Sequence, residues 1–211
     1  MAAADSLNPS TVIPSLYLAT GPRPTASVLG FAAGVFTVNV AGGMAAFILG
    51  HRLAAFLPRP GEDVRHWTEI ALGTVALGAA ALLWHRRRQV SVGLEGANRR
   101  MRSVAPLAGA TIALVELPTA FPYLAVVAAV AGSGAGLGTA LAMLVLFNVV
   151  FLAPAFVFVV ARAVAGPRAV VVMERARASL VRHAGALIAG IVLTLGLVLL
   201  CIGTIGLATS A

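Results

Sequence analysis

The chain has 211 residues, of which 60% are hydrophobic and 10% charged, with a mean hydropathy of +0.97. A soluble domain carries about 25% charged residues, so this composition excludes a water-soluble fold and makes lipid the solvent for most of the chain. The net charge is +8 and every basic residue besides histidine is arginine; these arginines sit between apolar runs and not on an aromatic-bearing basic face, which excludes nucleic acid as a partner.

The first apolar stretch, Leu7–Thr20, is too short to cross a hydrocarbon core of about 30 Å, which takes about 20 helical residues. It opens with Asp5-Ser6-Leu7-Asn8-Pro9-Ser10 and holds Pro14 further on. No basic segment precedes an apolar core here, so no cleavable signal peptide is expected. The first helix is expected to be shortened, or to begin upstream of Met1. Gly21-Pro22-Arg23-Pro24 reads as a tight turn. Ala26–Gly50 is long enough to span and carries Asn39. Its Gly30, Gly34 and Gly42-Gly43 mark close helix packing. The link Arg52–Trp67 holds prolines and charges, and the shorter run Thr68–Trp84 has Glu69 at its edge.

The most basic link, His85–Ser103, leads to the run Val104–Ala131. That run is interrupted by Glu116-Leu117-Pro118-Thr119-Ala120-Phe121-Pro122. Gly132-Ser133-Gly134-Ala135-Gly136 follows no strand and lacks a Lys-Ser/Thr ending, so it is a loop and not a phosphate cradle. Leu137–Ala161 carries Asn148 and a kink at Pro154. The link Arg162–His183 contains Val170–Leu180, which reads as an amphipathic helix at the interface. Ala184–Leu207 closes the set, and its lone cysteine, Cys201, reads as a small buried hydrophobe.

Arginine placement sets the orientation. With the N-terminus outside, the inner links hold twelve arginines and the outer links only Arg52, Arg59 and Arg65. Both termini are therefore expected outside the cytoplasm. The spacing from Pro9 to Asn39 is 30 residues, and from Pro118 to Asn148 again 30. Two copies of a three-helix unit follow, and an odd number of spans inserts the second copy upside down. The expected fold is an all-α integral membrane protein of about six transmembrane helices in two inverted three-helix repeats. The first repeat covers 1–86, a basic cytoplasmic linker 87–103 and the second repeat 104–211.

Proline within a span frees backbone carbonyls, tolerable only where protein or a cavity satisfies them. Broken helices thus tend to line a substrate site. The candidate substrate- or ion-binding residues are Asp5, Asn8, Pro9, Asn39, Glu116, Pro118, Thr119, Pro122 and Asn148. Each has a plainer reading beside it. The prolines bend helices, Asp5 caps one, and the asparagines are interhelical glue worth about 0.6 kcal/mol. Glu116 lies near the centre of its run, where an unpaired charge costs at least about 2.5 kcal/mol, so function is expected of it first. His51, His66, His85 and His183 have no metal-ligand spacing, and no catalytic triad or carboxylate pair stands out. No enzyme activity, cofactor or bound metal is expected. Membrane lipids are the expected partners, with anionic lipid at the basic inner loops and self-association as a further possibility.

Asp5 to Ser10, Gly34-Val35-Phe36-Thr37-Val38-Asn39 and Glu116 to Tyr123 together resemble the Sap/GAP family, the sulfolipid- and peptidoglycolipid-addressing proteins within the LysE superfamily of exporters. The resemblance covers nearly the whole chain, although the upstream half of the first helix is missing. It implies six helices and export of a lipid-related or small-molecule cargo across the cytoplasmic membrane. Alternatives are an accessory of a larger glycolipid exporter, or a cation or metal efflux protein.

Overall fold

The computed structural model describes residues 2–54, 62–86, 101–117 and 120–210, and among them every regular element is helical. In chain order these are α1 (Ala2–Asp5), α2 (Pro9–Ala19), α3 (Pro24–Ala54), α4 (Glu62–His85), α5 (Ala105–Glu116), α6 (Phe121–Gly132), α7 (Leu137–Phe151), α8 (Ala153–Ala165) and α9 (Pro167–Ser210). Proline stands in the first turn of α2, α5, α6 and α8 and is the first residue of α3 and α9. A first-turn residue has no helical partner for its N–H, so proline starts a helix there at no hydrogen-bond cost. These prolines therefore mark helix starts after breaks. Pro14 alone among the described helical prolines lies in a helix interior, within α2.

Three helices are long and apolar enough to cross a membrane: Pro24–Gly50, His66–His85 and Pro167–Thr209. The pair α7 and α8 makes a fourth if the two count as one broken span, bent by 45° at Leu152. The bend falls two residues before Pro154, the kink expected there. The expected run Val104–Ala131 is two short helices, α5 and α6, parted around residues 117–120. A further difference lies at the end of the chain. Val170–Leu180 is not a separate interfacial helix, because α9 runs unbroken from Pro167 into the last apolar run. No glycine or proline interrupts it before Gly185, and its arginines are good helix formers. His183 accordingly sits inside a helix, and Cys201 is exposed on its surface rather than buried. In a bilayer an outward-facing apolar residue meets lipid tails, so exposure carries no penalty for a thiol that behaves as a hydrophobe.

The chain divides into two compact units, Met1–Phe56 with Ala97–Ala178, and Leu57–Gly96 with Ser179–Ala211. In the first, α3 is the central element and packs on α5, α6, α7 and α8. Its crossing with α5 is main chain against main chain. A Cβ at Gly34 would meet the Pro106 carbonyl oxygen, and one at Gly109 would meet the Phe31 carbonyl oxygen. Small residues give such crossings because lipid provides no hydrophobic drive between helices and close contact must supply the attraction. In the second unit, Gly73 of α4 faces Gly196 and Leu200 of α9, while Gly203 faces Ile70.

Candidate polar site at the helix interruptions

α1 ends at Asp5, and Ser6 to Asn8 turn the chain into α2. Asn8 is the N-cap: its Oδ1 accepts the backbone N–H of Ser10 at 3.2 Å. Asp5, expected as a possible cap, is the last residue of the single-turn α1, and the N-cap of α2 is Asn8. The Ser10 hydroxyl is 2.8 Å from the same Asn8 Oδ1. The Glu116 carboxyl at the end of α5 lies near this hydroxyl and near the Asp5 carboxyl. Two interruptions far apart in sequence thus meet through side chains.

The chemistry of that meeting is constrained by proton count. A serine has one O–H to give and two acceptors beside it. With Glu116 neutral, its own O–H donates to Ser10 Oγ and the serine proton remains with Asn8. With Glu116 ionised, the serine proton is drawn to the carboxylate, because a charged acceptor makes the stronger bond. Asn8 then keeps only the backbone N–H.

A second polar point lies between α3, α6 and α7. Tyr123, 2% exposed, donates to the backbone carbonyl of Asn39 at 2.5 Å. Its ring packs against Phe147 with centroids 5.1 Å apart. The Asn148 side chain lies beside Tyr123, and Asn148 Nδ2 donates to the Leu144 carbonyl at 2.9 Å. Asn148 is wholly buried, and its Oδ1 has no partner. A buried polar atom without a partner costs stability. Near α2, a shallow, half-open hollow with room for about one water molecule lies between Ser6, Thr11 and Ser15 and the bend residues Phe151, Leu152 and Pro154.

The structure therefore joins Asp5, Asn8 and Glu116 in one group, with Pro9 opening the helix that carries Ser10. Asn148 belongs to the second point. Asn39 contributes its carbonyl oxygen there. Pro122 lies in the first turn of α6. Pro118 and Thr119 lie outside the described residues. Sequence reasoning passed over Ser10 and Tyr123 as site residues, although both stand inside the two proline motifs.

These elements define a helical membrane protein whose helices are interrupted by proline and whose polar side chains gather where the interruptions meet. A family model described as Sap, sulfolipid-1-addressing protein, matches residues 1–204, and the chain belongs to that family. No curated protein matches the chain, and no solved structure does.

Proposed function

We propose that the chain is an exporter of the cytoplasmic membrane, of the LysE-like type. It moves a lipid-related cargo by alternating access around the polar site where its interrupted helices meet. The observation that carries this reading is the nearness of Ser10 and Asp5 to the Glu116 carboxyl. It joins the two proline-bearing segments that a repeat would place at a shared cavity. Lipid as cargo follows the family description; no enzymatic step is part of the proposal.

Six spans in two inverted repeats complete it. In this reading α1 with α2, α3 and α4 form one copy, and α5 with α6, α7 with α8, and α9 form the other. The packing exchanges partners between copies: α5 lies on α3 while α1 lies on α7, and α6 lies on α3 while α2 lies on α8. Two copies related by an in-plane two-fold axis would make that exchange. Glu116 would carry the coupling proton or cation, passing its hydrogen-bonding change to the cap of α2 through Ser10.

The test is lipid movement in proteoliposomes, read as protection of a headgroup-labelled anionic lipid from an impermeant quencher. Glu116→Gln is expected to abolish movement while leaving the helical circular dichroism unchanged. Wild-type movement in that variant overturns the role of Glu116. Loss on replacing inner-link arginines, with Glu116→Gln still active, would put an accessory role in its place.

A further inference from the structure

Three links that the arginine count assigns to one face of the membrane converge on a single ring. Tyr17 is in the last turn of α2, just before the turn at Gly21. The Arg102 guanidinium, from the link preceding α5, lies over the Tyr17 ring 4.3 Å from its centroid. The Arg177 guanidinium, from the first part of α9, lies 5.3 Å from the same centroid. Either distance is within cation–π range, so the ring explains why each arginine is held. It does not explain why two cations are gathered at one place. Their distances to one centroid put the two guanidinium carbons less than about 10 Å apart, within the Debye length of about 10 Å at 0.1 M salt, and their mutual repulsion opposes the arrangement. Among the described residues neither is paired with a carboxylate, and Glu174, one turn before Arg177, makes no ion pair. Arg177 Nε, moreover, is shut off from solvent and bonds to nothing.

We infer that Tyr17, Arg102 and Arg177 form a binding site for a tetrahedral oxyanion, the phosphate or sulfate ester of a lipid headgroup. Such a group sets one or two negative charges against the pair of cations and supplies several acceptors to guanidinium N–H groups. Aligned with three inner links, the site sits where headgroups of that leaflet lie. It is distinct from the Ser10–Glu116 site, and neither depends on the other.

The experiment is native mass spectrometry of the full chain in detergent, offered phosphatidylglycerol, phosphatidylcholine, or inorganic phosphate and sulfate. Wild type is expected to retain phosphatidylglycerol over phosphatidylcholine. Arg102→Gln and Arg177→Gln should each weaken that retention about tenfold or more, the loss of a hydrogen bond to a charged group. Arg23→Gln and Arg168→Gln, exposed cations of the same links, should leave it unchanged. Saturable binding of inorganic phosphate or sulfate that displaces phosphatidylglycerol supports the site with a free anion as a second source. Equal losses from all four variants, or no selective anion binding in wild type, would overturn the inference and leave the ring as a clamp only. Should one glutamine variant fail to fold, the other alone decides the matter.

Discussion

Tyr123 donates its phenolic hydrogen to the backbone carbonyl of Asn39, 84 residues earlier in the chain, and so ties α6 to α3. The carbonyl of a helix is ordinarily engaged by its own ladder, so this is a second bond to one oxygen, made by a buried side chain. Tyr123→Phe removes it while keeping the ring against Phe147. The variant is expected to lose about 1 kcal/mol, within the range of interhelical hydrogen bonds in bilayers, read as a lower midpoint in denaturant titration of the detergent-solubilised chain.

Asn148 invites the opposite result. Its Oδ1 is buried and unpartnered, so Asn148→Leu, similar in volume and apolar, removes an unsatisfied acceptor. Stability is expected to stay level or rise by about 1 kcal/mol, while lipid movement in proteoliposomes falls. A variant that is less stable and fully active would show that Asn148 serves packing alone.

Helix glycines separate cleanly by position. At Gly34 a side chain would collide with the Pro106 carbonyl, whereas at Gly78 nothing lies within 4 Å. Gly34→Val is expected to cost about 3 kcal/mol or more, because main chain has no rotamer to move aside. Gly78→Ala is expected to be neutral or to gain up to about 1 kcal/mol from helix propensity. Thermal unfolding of the two variants side by side checks both.

Asn8→Ala withdraws the cap of α2 and one of the two acceptors beside the Ser10 hydroxyl. A lost cap costs about 1 kcal/mol. Asn8→Asp keeps an acceptor there and is expected to restore the cap, so thermal midpoints should rank wild type and Asp above Ala. Equal midpoints for all three would show that the cap contributes nothing measurable.

Of about six expected spans, three helices have the length and apolar character to cross a membrane, or four with the bent pair, and these were legible in the sequence because apolar length is a local property. The breaks were legible too, since proline acts on its own neighbours. Glu116 stood out for the same reason: a charge inside an apolar run is visible without knowing what it touches. What the sequence did not carry was partnership. Ser10 is an ordinary serine until α5 is brought against it, and Tyr123 an ordinary tyrosine until Asn39 lies opposite. Arg102 and Arg177 read only as topology signals, because nothing in a one-dimensional count places both against Tyr17. The extent of α9 was missed for a different reason: amphipathic arginine-bearing sequence and apolar sequence are both good helix, and hydropathy divides them where the backbone does not.

At the crossing of α3 and α5, Pro106 and Phe31 offer bare carbonyl oxygens to Gly34 and Gly109. A seam of that kind has no side chains to repack, so it tolerates neither sliding nor prying apart by rotamer exchange. The two helices are obliged to travel as one rod. Any rearrangement that exposes the polar site to alternate sides of the bilayer must then be absorbed elsewhere. The turn before α2 and the 45° angle at Leu152 are two helix breaks that lie outside this seam.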